Sequence, residues 1–251
     1  MTYADMAKAA GITMMPCELI EIGGESHFLT ERYDRKNGEK IHTVSLAGMI
    51  PDATSYEQLM EVCLKLGLPY REREEIFRRA VFNMLTTNVD AHIRNFEFML
   101  ERGSSEWHIS PAFDLTFSCF NPHNKLDEYH YLSINGKRTS INRDDMTAFA
   151  RSGMIDNPTA IIQQCVDVVL EFRSFATKYE VSSYWQDLIE RHFAEMTPDL
   201  LYGLHGYKPN VFSYILQPSG VHVEDAQWQE MCNGAYRLTA KLDGMEYHTT
   251  I

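Results

Sequence analysis

The stretch Asn88-Val89-Asp90-Ala91-His92-Ile93-Arg94-Asn95, followed by Ile109-Ser110-Pro111-Ala112-Phe113-Asp114-Leu115-Thr116, decides how this chain reads. It sets an Asp, an Asn five positions on, and a second Asp nineteen positions beyond that. Phosphoryl transfer from ATP calls for this set. One carboxylate orients and deprotonates a hydroxyl, while an amide and a second carboxylate hold Mg²⁺ against the phosphates. Mg²⁺ keeps phosphate and water oxygens around it, so one amide and one carboxylate suffice from the protein. Spacing alone is a weak signal, because loops are rich in Asp and Asn. His92 reads first as a loop histidine that hydrogen-bonds backbone.

The elements around this stretch place it. Glu72 to Thr86 predicts a strongly amphipathic helix, with Ile76, Phe77, Ala80, Val81, Met84 and Leu85 as its buried stripe. It ends just before Asn88, so the motif emerges from a buried helix onto a loop. Phe96 to Leu100 and Trp107 to Ile109 read as a small hairpin across Arg102-Gly103. Tyr129 to Ile134 and Arg138 to Ile141 read as another, with Asn135-Gly136 as a type I′ turn. Upstream, residues 4–10 predict a short helix closed by Gly11. Met15 to Ile22 and Ser26 to Tyr33 predict two strands joined at Gly23-Gly24, and Asp34 to Asp52 a loop or crossover. Ser55 to Leu66 predicts a helix stopped by Gly67 and Pro69. Downstream, Asp144 to Arg151, Thr159 to Tyr179 and Ser182 to Glu195 read as helical. Residues 204–251 change character. Gly206, Pro209, Pro218 and Gly220 break the region up, and Tyr236 to Leu242, Asp243-Gly244 and Glu246 to Thr250 read as a hairpin.

Bulk composition bounds the rest. With 251 residues and 44% hydrophobic content, the chain suits one domain of two lobes or a domain with a small appendage. The net charge of −12 argues against a broad nucleic-acid face, since affinity for nucleic acid comes mostly from cationic side chains meeting phosphates. Arg71, Arg73, Arg78 and Arg79 alternate with Glu72, Glu74 and Glu75, which reads as a solvated helix face. The cysteines are Cys17, Cys63, Cys119, Cys165 and Cys232. Their odd count and lack of metal spacing fit a reduced, cytoplasmic compartment. No stretch reads as a signal peptide or a membrane span.

Asn88-x-Asp90-x-His92-x-x-Asn95-Phe96 with Ile109 to Asp114 resembles the C-terminal kinase domain of HipA-type toxins, serine/threonine kinases of bacterial toxin–antitoxin modules. Ala7 to Pro16 resembles the helix and strand entry of that family's N-lobe. Glu31-Arg32-Tyr33-Asp34-Arg35 resembles its Glu-Arg-Phe-Asp-Arg hinge. The resemblance covers roughly residues 4–195 in one collinear run. It implies an α+β, protein-kinase-like fold: a small N-lobe sheet, a mostly helical C-lobe, and ATP in the cleft. On that reading residues 1–40 form a truncated N-lobe, 41–203 the helical C-lobe, and 204–251 a C-terminal extension able to pack on the N-lobe. Asp90 would be the catalytic base, and Asn95 and Asp114 the Mg²⁺ ligands. Glu31 and Tyr33 would meet the adenine of ATP through backbone groups, and His92 and Phe113 would line the nucleotide site.

The family also implies elements not found here. Its glycine-containing phosphate loop and its phosphate-pairing lysine lie upstream of the stretch matched by residues 4–16. No Gly-x-Gly-x-x-Gly occurs in this sequence, and Lys8 is the only lysine before residue 36. Phosphoryl transfer is mostly positioning and electrostatics, so turnover by this chain alone should be low. Three readings stay open: a kinase, active alone or completed by a partner; a pseudokinase or protein-binding module; and a degenerate fragment with no retained role. The implied partners are a HipB-like DNA-binding antitoxin or a separately encoded N-lobe subunit. The predicted tail hairpin could instead add strands to the shortened sheet.

Overall fold

The computed structural model describes residues 1–119, 129–202, 223–230, 236–242 and 245–250. Helix α4 (Tyr70–Leu85) is its axis. Its first turns carry charge, but from Ile76 to Leu85 nearly every side chain is buried, including Arg79 and Asn83. A helix buried on all sides is the centre of a core rather than a cover for it. Around it pack α3 (Tyr56–Lys65), α5 (Arg143–Ser152) and α6 (Pro158–Leu170). Aromatic rings knit them together: Phe149 of α5 meets Tyr56 at 5.9 Å and Phe77 at 5.7 Å. Each such side chain, fully buried, contributes about 1.5–3 kcal/mol.

Local chemistry sets the helix ends. Ser55 caps α3 by accepting from the Gln58 N–H. Asn142 and Asp145 form a reciprocal capping box at α5. Asn157 caps α6, with Pro158 in its first turn, where a missing N–H costs nothing. At the N-terminus, α1 (Thr2–Ala9) ends in a Schellman motif, with Gly11 N–H returning to Lys8 C=O and Ile12 N–H to Ala7 C=O. Gly11 has φ +81° there, the left-handed region glycine favours.

The predicted first hairpin is β1 (Cys17–Ile22) with β2 (Glu25–Thr30), antiparallel and paired from Cys17 with Thr30 to Ile22 with Glu25. The segment from Asp34 to Asp52 differs from the expected loop. It holds β3 (Arg35–Lys36), β4 (Glu39–Lys40), β5 (His42–Ser45) and a single-turn helix α2 (Leu46–Met49). Asn37-Gly38, at φ 52° and 82°, makes the β3–β4 turn. β5 has little strand signal of its own; it is recruited by pairing with β6 (Glu97–Leu100), which pairs in turn with β7 (Trp107–Ile109).

Two further expectations are corrected. Asn135-Gly136 does form the turn, with φ 50° and 76°, and Ile134 and Lys137 exchange backbone hydrogen bonds at 2.9 Å. Strands do not extend from it. The flanking backbone is drawn elsewhere: Tyr131 N–H to Val89 C=O, Ser133 N–H to Thr54 C=O. The single helix predicted over 159–179 is two, α6 and α7 (Phe172–Lys178), broken at Glu171. The break lets Phe172 pack edge-on against Phe193 of α8 (Ser183–Met196), 5.3 Å between centroids. After α9 (Pro198–Tyr202), β8 (Val223–Glu230), β9 (Tyr236–Leu242) and β10 (Met245–Thr250) pair in the order β10-β9-β8. Among the described residues they form a sheet of their own, separate from β1–β2. The breakers from Gly206 to Gly220 and the Asp243-Gly244 turn lie outside the described residues. The whole is a mixed α and β fold with small antiparallel sheets. Among the described residues no helix is long and apolar enough to cross a membrane.

Candidate functional site

The site begins where α4 stops. Thr86 and Thr87 are fully buried, and Thr87 takes φ 50°. A β-branched residue rarely enters the left-handed region, and holding it there costs on the order of 1–3 kcal/mol. The turn is fixed on both sides. The Tyr3 hydroxyl donates to Thr86 C=O at 2.6 Å, and Asn88 N–H returns to Asn83 C=O at 3.0 Å. The chain is thereby thrown off the helix axis into residues 88–95.

Asn88, 1% exposed, is the hub of a buried hydrogen-bond network. Its Nδ2 donates to Asn83 Oδ1 at 3.1 Å and to Asp114 C=O at 3.4 Å. Its Oδ1 accepts from Ser118 Oγ at 3.3 Å, and that hydroxyl accepts the Asp90 N–H at 3.0 Å. Asn83 in turn donates to the Tyr56 hydroxyl at 3.0 Å. Burial pushes the Tyr56 phenol well above its usual value, against the pull of Asn83, so it stays protonated. One buried amide thus ties the Asp90 loop and the Asp114 segment to the helical core.

Asp90, Asn95 and Asp114 are brought together. Asn95 Nδ2 donates to Asp114 Oδ2 at 3.1 Å and to Asp90 C=O at 3.4 Å. The loop between them closes through His92 N–H to Asp90 C=O and Asn95 N–H to His92 C=O. Asn95 is 9% exposed, whereas the Asp90 and Asp114 residues face solvent. Asp114 takes φ 57°, a conformation Asp tolerates better than most residues.

The other expected residues divide. Tyr33 and Phe113 stack, 5.6 Å between centroids at 18°, and the Tyr33 hydroxyl donates to Glu97 Oε2 at 2.6 Å. Burial, then that carboxylate, holds the Tyr33 phenol well above its usual range. Since Phe113 precedes Asp114, the stack joins the 31–35 stretch to the Asn95–Asp114 pair. Glu31 is exposed; its N–H donates to Pro16 C=O at 3.0 Å, and its C=O accepts from the Thr30 hydroxyl at 3.4 Å. The His92 ring packs edge-on against Tyr131 at 5.8 Å, and its Nδ1 is buried without a hydrogen-bond partner among the described residues.

Ser118, Asn83 and Tyr56 were not legible as part of this network. Asn83 carried the one usable signal: an amide inside the apolar stripe of a helix needs a buried partner. His130 was also missed. It is 1% exposed, and burial pushes its imidazole down to about 4, with the Asn88 backbone pulling the other way.

As a cation site the pair has a definite character. Among the described residues no group of three or more His, Cys, Asp or Glu side chains could cage a metal. One carboxylate and one amide oxygen would suit a Mg²⁺ that completes its shell with phosphate and water, with the Asn95 amide turned from its present Nδ2 contact so that Oδ1 faces the ion.

The family model for the HipA-like C-terminal domain matches residues 1–174. The chain belongs to the HipA-like C-terminal domain family. It is 23% identical over 137 residues to the serine/threonine-protein kinase toxin HipA of Shewanella oneidensis, covering 44% of this chain and 31% of that one. A solved Shewanella oneidensis structure of HipA with HipB and operator DNA superposes with a TM-score of 0.59 at 18% identity, over 80% of this chain and 53% of that one. This HipA-like chain therefore shares the HipA fold while spanning about half that chain's length or less. The Helicobacter pylori proinflammatory kinase CtkA aligns at a TM-score of 0.44 and 13% identity, over 76% of this chain and 84% of that one.

Proposed function

We propose that this chain carries the base-and-metal half of a HipA-like serine/threonine protein kinase. The observation that carries the proposal is the contact of Asn95 with both Asp114 Oδ2 and Asp90 C=O. It gathers the three residues that phosphoryl transfer needs, with the Asp90 and Asp114 residues open to solvent. Asp90 would take the proton of a protein hydroxyl as its oxygen bonds to the γ-phosphorus and ADP departs. Mg²⁺, held by Asn95 and Asp114, would neutralise charge on the phosphates. The Tyr33–Phe113 stack would floor the nucleotide, with the Glu31 carbonyl toward the adenine and His92 behind the loop.

On this reading residues 1–40 belong to the N-lobe, 41–203 form the C-lobe, and 204–251 are an extension. The enzyme would work in the cytoplasm, where ATP is available. A HipB-like DNA-binding antitoxin is a fitting partner, supported by the HipA–HipB complex of the relative. A separately encoded N-lobe subunit is the other partner that fits a two-lobed kinase. The second reading is a pseudokinase that keeps the fold and acts by contact.

Purified chain incubated with radiolabelled Mg-ATP and bacterial lysate separates the two. The kinase reading predicts labelled protein that disappears with Asp90→Ala. No label above background, or label indifferent to Asp90→Ala, leaves the pseudokinase.

A further inference from the structure

Arg79 lies in the middle of α4 with 2% of its surface exposed. A guanidinium there is costly in solvation, and replacing a buried ion pair with apolar side chains of like volume is often neutral or stabilising. Arg79 Nη1 and the Ser110 hydroxyl are moreover buried without hydrogen-bond partners among the described residues. Such atoms are few in folded proteins, and each calls for a physical account.

What the charge does instead is reach backbone. Arg79 Nε and Nη2 donate to Glu75 Oε1 at 3.0 and 2.8 Å, and Nη2 also donates to Ser110 C=O at 2.8 Å. The same Glu75 oxygen accepts the Thr13 N–H at 2.9 Å, and Thr13 C=O accepts the Ala112 N–H at 2.8 Å. One ion pair thus grips both sides of the bridge between Met14 and Ala112. One helical turn earlier, Glu72 takes His108 Nδ1 and the Ile109 N–H, both at 2.8 Å. Glu72, Glu75 and Arg79 share one face of α4, and that face tracks the strand leading to Asp114.

Asp114 needs such an anchor. Its left-handed backbone, though milder for Asp than for most residues, still favours a segment held from both sides. Asn88 and Asn95 hold it from one side; upstream, the hold is at Ser110 and Ala112. We infer that Arg79, paired with Glu75, is a positioning residue for the Asp114 carboxylate, setting the segment 110–114 at the depth where Asn95 and Asp114 converge on a cation. The inference rests on the reading of those two residues as the metal pair.

The test uses the double variant Arg79→Met/Glu75→Met and the single variant Arg79→Lys. ATP affinity is measured with and without Mg²⁺, alongside melting temperature and amide exchange. The expected double variant still folds and binds ATP alone as the parent does. Its Mg²⁺-dependent gain in affinity falls about tenfold, as for loss of an outer-shell support. The Ala112 amide exchanges faster. Arg79→Lys, a compact charge without the fork, loses part of the gain and stands in if the double variant does not fold. An unchanged Mg²⁺ gain in a folded variant overturns the inference, as does an equal loss of affinity with and without Mg²⁺. If the parent itself shows no Mg²⁺ gain, the metal reading fails. The positioning role is then judged on Ala112 exchange, where unchanged protection overturns it.

Discussion

Replacing Asn88 with alanine removes the amide on which both halves of the site hang. The side chain is buried, and it donates to Asn83 Oδ1 at 3.1 Å. Losing it leaves that buried oxygen without its donor, which costs about 1–3 kcal/mol. Asp114 C=O and Ser118 Oγ also lose a partner, but both lie nearer solvent, so together they add about 1 kcal/mol. The expected loss is about 2–4 kcal/mol, or roughly 5–15 °C in melting temperature for a chain of this size. Urea unfolding followed by circular dichroism measures it. The double variant Asn83→Ala/Asn88→Ala should lose clearly less than the sum of the single losses, because the stranded acceptor is then gone as well. A loss below about 0.5 kcal/mol for Asn88→Ala would refute the hub, as would strict additivity in the double variant.

Other outcomes rest on the same contacts. His130 titrates at about 4 when folded against an ordinary 6.5, so between those values the unfolded chain binds the extra proton and stability rises with pH. Acidification across that window should remove roughly 3 kcal/mol, and His130→Gln should flatten the slope in unfolding curves taken across it. Burial raises the Asp145 carboxyl, but the Asn142 N–H, Asn135 and Lys137 outweigh it and hold it below the usual value. Asp145→Ala should cost about 1–2 kcal/mol at neutral pH, and the parent should lose that contribution only as pH falls below 3.8 through the folded value, read by thermal unfolding. Tyr33→Phe keeps the stack on Phe113 and should bind ATP nearly as the parent does, whereas Tyr33→Ala should weaken ATP binding about fivefold in calorimetry.

Most of the longer helices were legible because their apolar period and their stops are local. The caps at Ser55, Asn142 and Asn157 were not read, but the buried stripe from Ile76 to Leu85 and the stop at Gly67 and Pro69 need no help from the rest of the chain. Gly23-Gly24 likewise marks its hairpin. The misreadings share one cause, a partner distant in sequence. β5 becomes a strand because β6 pairs with it, and the backbone at Tyr131 and Ser133 leaves its own hairpin for Val89 and Thr54. Glu171 breaks a helix where Phe172 meets Phe193. In the site, the resemblance of the 88–96 and 109–114 stretches to the family motif implied that Asp90, Asn95 and Asp114 meet. The network beneath them joins Tyr56, Asn83, Asn88 and Ser118 across segments far apart in the chain, and no local pattern encodes it. The arginines read as a solvated face also divide: Arg79 is buried, while Arg71 faces solvent.

The central claim is that Asn95 and Asp114 form one cation site serving a bound nucleotide. Isothermal titration of the purified chain with ATP, in Mg²⁺ and in EDTA, tests it directly. The account predicts tighter binding in Mg²⁺, with the difference abolished by Asp114→Asn and the EDTA affinity unchanged. Equal affinities in Mg²⁺ and EDTA for the parent, or a Mg²⁺ gain that survives Asp114→Asn, would contradict it.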